Sequence, residues 1–501
     1  MESMTYLLDG FGSALSWWNL LYCLIGVTVG MFIGVMPGLG PVSGTAILIP
    51  LTFGMDPISA IIMLSGIYYG AMYGGTITSV LINTPGEAAS VITCIDGHQM
   101  ARQGKAGTAL GVAAIGSFIG GTISIIGLTF VAPILASFAL SFGPPEFFTL
   151  MLMGLMMLVG LMGKSVIRGL IAATFGLLLS LIGMDPISGE IRFSFGIVNL
   201  IDGLDFVAVA MGLFGISEIL LNAEQKMSHE KPAKVTRLLP EKGEWSPTFK
   251  SIGRGTIIGF IVGLIPGANA VIASLLSYSV ERKIAKNPSR FGKGAIEGVA
   301  GPETANNACS GSALIPLFTL GIPSSPTVAV LFGAFMMHGL TPGPALFQNN
   351  PDFIWAVIAS LFIGNVILLI MNLPMARVWA KIALIPYKLL FPIILLLSFI
   401  GAYSINNSLW DVAVMLFFGL VGYFMKKLDI PLAVIVLTFV LGPQIESSLL
   451  QSLALSDGSM FIFFERPISA ALLVFIFIVL LATIFTSLKN KRGGLVSDVE
   501  L

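Results

Sequence analysis

Charged residues are scarce in this sequence. Only 10% of its 501 residues are Asp, Glu, Lys or Arg, whereas 55% are hydrophobic. A water-soluble protein carries about 25% charged residues because its surface must face water. The composition therefore excludes an ordinary soluble fold and predicts an all-α polytopic membrane protein. Gly (57) and Pro (27) are frequent, which is typical of transmembrane helices that pack closely or are broken.

Chemistry-bearing residues are also few. The three cysteines lack metal or redox spacing, and the three histidines are scattered. No P-loop pattern occurs, and no soluble segment is long enough to form an ATP-binding domain. Basic and acidic residues balance at 26 each, so net charge gives no reason to expect a nucleic-acid partner. We therefore expect no enzyme activity and no cofactor. An ion gradient, of Na⁺ or H⁺, remains as the energy source.

Basic residues are absent from the start of the chain, where the first is Arg102. A secretory signal peptide has a basic n-region, so the first apolar run is not expected to be one. By the positive-inside rule, an N-terminus without basic residues should lie outside the cytoplasm. The C-terminal tail, 489–501, carries Lys489, Lys491 and Arg492, so we predict that it is cytoplasmic.

Apolar runs of about 17–25 residues predict membrane crossings. The clear candidates are 19–36, 107–137, 144–163, 169–183, 203–222, 353–376, 387–403, 408–424, 430–446 and 467–487. Two further apolar regions, 40–97 and 255–342, are repeatedly interrupted by Gly, Pro, Asn, Ser and Thr. The long polar stretch 223–250 contains six lysines and arginines, and it predicts a cytoplasmic linker that divides the chain nearly in half.

The two halves are related in sequence. Gly34-Val-Met-Pro-Gly38 recurs as Gly263-Leu-Ile-Pro-Gly267, and Thr84-Pro85-Gly86 is echoed by Ile322-Pro323-Ser324. Further matches follow in the same order at a slowly drifting offset. Internal repeats are a common way to build transporters. We therefore predict a first repeat over 1–222, with a hairpin near 75–97, and a second repeat over 251–488, with a hairpin near 303–340.

The distribution of charge predicts that the two repeats are inverted. Basic clusters in one half align with segments of the other half that contain no Lys or Arg. What lies inside in one half should therefore lie outside in the other. The segment 186–202 contains Glu190 and Arg192 and is not expected to cross, whereas its apolar counterpart 430–446 is. That extra crossing would return the tail to the cytoplasm.

The two interrupted regions are the candidate sites. Broken helices persist at membrane depth where they are buried in protein or line a wet cavity. A helix that begins there presents free N–H groups suited to a carboxylate, while hydroxyl and carbonyl oxygens suit small cations. The candidate substrate-binding residues are Asn83, Thr84, Pro85, Gly86, Ser90, Gly321, Pro323, Ser324 and Ser325. The candidate ion-coupling residues are Gly38, Thr76, Ser79, Glu87, Gly267, Asn269, Glu303, Asn306, Asn307 and Ser310.

Packing is the alternative interpretation of these residues. Gly, Ser, Thr and Pro also occur where transmembrane helices approach closely or kink. Glu87 could equally be an acid that favours the first turn of a helix. The pairing of the interruptions across the repeat, and the presence of Asn and Glu in them, favour a site. From the sequence, we expect no metal ion other than Na⁺.

Three blocks resemble the large membrane subunit of tripartite tricarboxylate transporters, the TctA family. They are Thr84 to Gly107 (TPGEAASVITCIDGHQMARQGKAG), Gly298 to Asn307 (GVAGPETANN), and Gly321 to Thr327 continuing to His338 to Pro344. The resemblance covers essentially the whole chain. One departure is Ser324, since family members usually carry Gly after the second hairpin proline.

The resemblance implies an inner-membrane permease of bacteria that takes up di- or tricarboxylates such as citrate with Na⁺ or H⁺. It implies two partners: a small TctB-like membrane subunit, and a TctC-like periplasmic protein that delivers the substrate. It also suggests that the hairpins move against a scaffold in elevator fashion. Homo-oligomer formation is left open. The alternative function is a passive channel or facilitator for small organic anions.

Overall fold

The chain is described by a computed structural model over residues 2–36, 38–162, 165–185, 188–224, 233–235, 237–382, 385 and 387–481. The predicted cytoplasmic tail and the middle of the predicted linker lie outside the described residues. Within the described ranges the chain is overwhelmingly helical, and seven helices are long and apolar enough to cross a membrane. An all-α polytopic membrane protein is therefore confirmed.

The described residues of the first half form ten α-helices. They are α1 (Glu2–Ala14), α2 (Trp17–Val35), α3 (Gly40–Leu48), α4 (Pro57–Ile82), α5 (Val91–Arg102), α6 (Ala106–Ala139), α7 (Pro144–Met162), α8 (Val166–Ser180), α9 (Phe206–Ala210) and α10 (Ser217–Glu224). A π-helical turn, Met211–Ile216, joins α9 to α10.

The second half contains thirteen more in the described ranges. They are α11 (Trp245–Leu264), α12 (Ala270–Ile284), α13 (Glu297–Ser312), α14 (Leu314–Leu320), α15 (Pro326–Met337), α16 (Pro344–Asn349), α17 (Pro351–Asn372), α18 (Ala376–Ile382), α19 (Tyr387–Asn406), α20 (Leu409–Lys427), α21 (Leu432–Leu455), α22 (Ile462–Glu465) and α23 (Pro467–Leu481).

Glycines bring α2 against α4. Every fourth residue from Gly26 to Gly34 is glycine, and a Cβ added at any of the three would lie 2.2–2.3 Å from a carbonyl oxygen of α4. The contacts are Gly26 with Met63, Gly30 with Ile67 and Gly34 with Ala71. From one contact to the next, the residue number rises by four in both helices, so α2 and α4 run parallel. Small residues permit this close backbone approach.

The same pattern brings α11 against α13. The contacts are Gly255 with Gly301, Gly259 with Ala305 and Gly263 with Cys309. An added Cβ at these glycines would lie 2.2–2.5 Å from the facing carbonyl oxygens. These helices also run parallel. Each half thus contains one central helix, α4 or α13, with a glycine-lined helix laid along it.

A returning arm follows each glycine-lined helix. After α2, the chain breaks and α3 returns, so that a Cβ at Gly44 would lie 2.6 Å from the Ile33 side chain. After α11, α12 returns, and an ion pair of 2.6 Å joins Arg254 near the start of α11 to Glu281 near the end of α12. The pairs α2–α3 and α11–α12 are therefore antiparallel helical hairpins.

The two central helices cross in the core of the molecule. The Tyr68 hydroxyl of α4 donates to the Ser310 carbonyl oxygen of α13 at 3.4 Å, and Thr76 lies beside Glu303. Contact positions rise along α4 as they fall along α13, so the two helices are antiparallel. The apolar window of α4 is buried in its entirety. A helix buried on all faces needs no polar stripe, which accounts for its uniform composition.

The predicted interruption of 40–97 is only partly correct. α4 runs unbroken from Pro57 to Ile82, so the hairpin predicted near 75–97 begins only at Asn83. Gly74 and Gly75 stay helical because they serve packing: a Cβ at Gly74 would lie 2.6 Å from the Met31 carbonyl oxygen. In the second half, Glu303 to Ser310 likewise lie inside α13, and the break comes at Gly321.

The segment after α8 contains no helix long enough to cross a membrane in its described part. It forms a two-residue antiparallel ladder, β1 (Gly183–Met184) with β2 (Ile191–Arg192), followed by a short 3₁₀ turn. Arg192 pairs with Glu446 of α21 at 2.5 Å. The apolar counterpart 430–446 lies in α21, one of the candidate crossings. The two segments therefore differ in helix content within the described residues, and their difference in membrane crossing stays a prediction.

Candidate functional site

The first break follows directly from the sequence Asn-Thr-Pro-Gly. α4 ends at Asn83, whose φ of 52° is left-handed, a conformation that Asn tolerates better than most residues. Pro85 has no N–H to continue a helix. Gly86 is required by space, because an added Cβ would lie 1.9 Å from the Gly34 carbonyl oxygen and 2.7 Å from the Gly75 Cα. The chain therefore turns back against the tip of the α2–α3 hairpin.

Glu87 lies immediately after this break and caps the 3₁₀ turn that leads into α5. Its carboxylate accepts hydrogen bonds from the Ala89 N–H at 3.3 Å and from the Asn306 side-chain amide at 2.7 Å. The side chain is only 6% exposed. Because Asn306 belongs to α13, Glu87 combines the capping role with a contact between the two halves.

Glu303 is the second buried acid, and it is 1% exposed. The Thr76 hydroxyl of α4 donates to one carboxylate oxygen at 2.6 Å, and the Thr93 hydroxyl of α5 donates to the other. Both donors flank the first break. The arrangement is reciprocal: an amide of the second half holds the acid of the first, and hydroxyls of the first half hold the acid of the second.

The two carboxylates lie close enough to interact electrostatically. Among the described residues, no Lys, Arg or His forms an ion pair with Glu87 or with Glu303. Burying an unpaired carboxylate at membrane depth is costly, and neutral donors offset only part of that cost. The arrangement therefore favours a bound cation or proton.

Two asparagines on α13 each have a side-chain oxygen without a partner. The Asn307 amide donates to the Ser117 hydroxyl of α6 at 2.7 Å and to the Glu303 carbonyl oxygen at 3.2 Å. Asn306 and Asn307 are each 1% exposed, yet neither Oδ1 accepts a hydrogen bond. Buried polar atoms are nearly always hydrogen-bonded. A cavity of about 10 Å³, lined in part by Thr76 and Ser117, adjoins this region.

Serine hydroxyls fasten the first break to α4. The hydroxyls of Ser79 and Ser90 are 2.9 Å apart, and Ser79 also lies 2.9 Å from the Gly75 carbonyl oxygen. Ser90 donates to the Glu87 carbonyl oxygen at 2.8 Å. These local bonds position Glu87 beside α13.

The second break begins at Gly321, which has a left-handed φ of 69°. An added Cβ at Gly321 would also lie 2.7 Å from the Pro342 carbonyl oxygen, so the position requires glycine. The Ser324 hydroxyl donates to the Ala313 carbonyl oxygen at 3.0 Å. The Ser324 carbonyl oxygen in turn accepts from the Gly267 N–H at 3.1 Å. The second break thus packs on the tip of the α11–α12 hairpin, as the first packs on that of α2–α3.

Ser325 begins α15. Its hydroxyl oxygen accepts from the Val328 N–H at 3.3 Å, which makes it the N-cap of that helix. The helix that Ser325 begins, α15, packs against α4. The start of α15 is therefore held, like Glu87, against the central helix of the opposite half.

The two breaks contact the central helices, and among the described residues no hydrogen bond joins 83–90 to 321–327. The first break contacts α13 at Asn306, and the second break contacts Ala313 at the end of the same helix. These two contact points are seven residues apart, which is roughly 10 Å along the helix axis. The structure therefore brings the predicted residues to two neighbouring levels of one core.

Five of the ten predicted ion-coupling residues lie at the level of the two carboxylates. Thr76, Glu87, Glu303, Asn306 and Asn307 are linked there directly, as the bonds above describe. The remaining members have local roles. Ser310 donates to the Asn306 carbonyl oxygen at 3.0 Å, Asn269 caps α12 through the Ile272 N–H, and the Gly38 carbonyl oxygen accepts from Asn222 at 3.1 Å.

The predicted substrate residues divide between the two breaks. Gly321, Pro323, Ser324 and Ser325 are buried at the second. At the first, Asn83 is exposed and Thr84 is half-buried, with its hydroxyl on the Ile82 carbonyl oxygen. Their position accounts for them as the end of α4, and a role in substrate binding stays a prediction.

The sequence analysis missed three contacting residues: Thr93, Ser117 and Tyr68. Each is a single hydroxyl in an apolar run, where a packing role is the ordinary expectation. Ser117 precedes a Phe-Ile-Gly segment that recurs in the second half, but the residue that corresponds to it there is Leu361, so the repeat did not single out the serine.

A helical membrane protein whose broken segments meet a buried polar core has the layout of a secondary transporter. The chain belongs to the tripartite tricarboxylate transporter TctA family, whose family model matches residues 20–437. Membership identifies a transport protein rather than an enzyme. Within the described ranges, no group of three or more His, Cys, Asp or Glu residues could hold a metal ion.

Two relatives come from Agrobacterium vitis. One is the uncharacterized 52.8 kDa protein in the TAR-I ttuC' 3'region, which is 43% identical over 493 residues that cover 98% of each chain. The other, an uncharacterized protein in the TAR-II ttuC' 3'region, is 44% identical over 234 residues, covering 47% of this chain and 97% of the relative. No solved structure matches the chain.

Proposed function

We propose that this protein drives the uptake of a di- or tricarboxylate, such as citrate, across the bacterial inner membrane with an ion gradient. Family membership supports transport of tricarboxylates. The observation that carries ion coupling is the pair of buried acids, Glu87 and Glu303, which neutral donors hold at the junction of the two halves. A pair of carboxylates at that place would bind cations during part of a transport cycle.

Two matched sets of contacts support an inverted-repeat arrangement. The glycines that lay α2 on α4 correspond, at a constant offset along the chain, to those that lay α11 on α13. The facing residues of α4 and α13 correspond at a second constant offset. Because the central helices α4 and α13 are antiparallel, the two assemblies enter the core from opposite sides. An elevator movement of this core against the outer helices is the proposed mode of transport.

The proposed topology follows from charge. The N-terminus would be periplasmic, and the loops that carry Arg102 and Lys105 would be cytoplasmic, as would the tail. The ladder at Gly183–Arg192 would then lie on the periplasmic side. That side is where a substrate-binding protein would deliver its ligand.

The proposed partners are a small TctB-like membrane subunit and a TctC-like periplasmic binding protein. The substrate would lie at the second break, where Ser325 and the start of α15 offer a hydroxyl and helix N–H groups to an anion. Within the described residues, no Lys or Arg side chain forms a hydrogen bond with this break. Bound cations would therefore help to neutralise the charge of the substrate.

The test is uptake by proteoliposomes that contain the chain with its small subunit, supplied with the cognate binding protein and [¹⁴C]citrate or [¹⁴C]succinate. Under an inward Na⁺ or H⁺ gradient, we expect accumulation above equilibrium. The alternative, a passive facilitator, predicts uptake that stops at equilibrium under every imposed gradient. That result would contradict ion coupling while leaving the family assignment intact.

A further inference from the structure

We propose that the core holds two Na⁺ ions, one between Glu87 and the Asn306 side-chain oxygen and one between Glu303 and the Asn307 side-chain oxygen. This inference rests on the proposed function and deepens it, because it gives the coupling ion and the number bound per chain. The evidence is the set of buried oxygens around each acid.

The orientation of the Asn306 amide is fixed by its neighbour. Its NH₂ group faces a Glu87 carboxylate oxygen at 2.7 Å, and an ionised carboxylate can only accept. The Asn306 Oδ1 is therefore left without a partner in a residue that is 1% exposed. This buried amide oxygen beside the carboxylate offers a metal cation a second oxygen ligand.

The orientation of Asn307 is fixed in the same way. Its NH₂ group donates to the Glu303 backbone carbonyl oxygen, an obligatory acceptor, and to the Ser117 hydroxyl. Its Oδ1 is again buried without a partner. Thr76 and Ser117, whose hydroxyls bond to the Glu303 carboxylate and to the Asn307 amide, also line a cavity of about 10 Å³. Hard cations prefer such carboxylate, amide and hydroxyl oxygens.

The two sets are separate positions. Consecutive residues on a helix point about 100° apart, so the oxygens of Asn306 and Asn307 serve different sides of α13. Asn306 faces the first break, and Asn307 faces α6 through Ser117. Each set contains one carboxylate, so each binds one positive charge. Two Na⁺ ions would balance both acids.

The test is calorimetric titration of the purified full-length protein with NaCl, in choline chloride at constant ionic strength and without substrate. We expect two Na⁺ per chain, and one in each of Glu87→Gln and Glu303→Gln. The control, Glu146→Gln, removes a buried acid of α7 that accepts from the Gly143 N–H, far along the chain from either set. It should keep both ions.

Asn306→Ser and Asn307→Ser guard against misfolding of the acid variants, because they keep a small polar group. Each should weaken one ion by roughly 10- to 100-fold and leave the other unchanged. A wild-type stoichiometry of one or zero Na⁺ would overturn the proposal, as would loss of both ions in every single variant. Proton-driven accumulation by a protein that binds no Na⁺ would overturn this inference and still support ion-coupled uptake.

Discussion

The two broken segments share one construction and differ in one group. In each, the residue two positions after the proline caps the next turn, and the segment packs against the central helix of the opposite half. In the first segment that residue is Glu87, which accepts from the Ala89 N–H and from Asn306 of α13. In the second it is Ser325, which accepts from the Val328 N–H at the start of α15, and α15 packs against α4.

This single difference separates the charges that the two segments can receive. A buried carboxylate attracts a cation and repels an anionic substrate. A neutral hydroxyl at the start of the twelve-residue helix α15 leaves the positive end of the helix available to an anion. We infer that the first break serves the coupling ion and the second serves the substrate.

The largest expected effect comes from making the two segments alike. Ser325→Glu places a carboxylate where the substrate anion should bind, and like charges brought together there should cost several kcal/mol. We expect the initial rate of [¹⁴C]citrate uptake to fall by about 100-fold or more. Ser289→Glu, at an exposed position, is the matched control and should transport normally. Normal uptake by Ser325→Glu would contradict the placement of the substrate at the second break.

The next effect concerns space at the first break. Gly86→Ala puts a Cβ 1.9 Å from the Gly34 carbonyl oxygen, so the α2–α3 tip must shift. We expect a loss of stability of about 2–4 kcal/mol, measured by thermal unfolding in detergent. Gly12→Ala is the control, since an added Cβ there meets nothing within 4 Å. Equal stability of the two variants would contradict the close approach.

The second break should tolerate the opposite change. Ser324→Gly restores the Pro-Gly pattern of the first break and removes the hydroxyl that donates to the Ala313 carbonyl oxygen. The loss of one hydrogen bond should cost about 1 kcal/mol. We expect a small fall in unfolding temperature with uptake retained. Abolished uptake in a stable Ser324→Gly protein would show that the hydroxyl contacts the substrate.

The smallest effect is expected at Asn83. This residue is exposed and left-handed, so Asn83→Gly should match the wild type, whereas Asn83→Ala should cost about 1 kcal/mol through its backbone. Uptake by both variants, compared at equal amounts of folded protein, checks this. Loss of uptake in Asn83→Gly would indicate that the Asn83 side chain contacts the substrate.

The positions of both breaks could be predicted from sequence because Gly, Pro and Asn have strong local backbone preferences. Asn83, Pro85 and Gly321 act at those points through their own φ angles and missing N–H groups. The buried acids could also be named, since a Glu in an apolar run is conspicuous. Local signals thus located the chemistry.

Packing decided what local signals could not. Gly74 and Gly75 look like interruptions in the sequence, yet both remain helical, because α2 lies against Gly74 and the segment Glu87–Ser90 lies against Gly75. Glu303 was assigned to a hairpin and lies inside a helix that also contains Pro302. Thr93 and Ser117 reach Glu303 and Asn307 because α5 and α6 pack beside α13. Such contacts depend on which helices are neighbours, and periodicity carries no information about that.

The central claim is that the two buried acids, Glu87 and Glu303, couple transport to an ion. The most direct measurement compares wild type with Glu303→Gln in proteoliposomes, recording both accumulation under an inward Na⁺ gradient and exchange of substrate at equilibrium. We predict that Glu303→Gln loses accumulation above equilibrium while it retains exchange. Undiminished gradient-driven accumulation by Glu303→Gln would contradict the account.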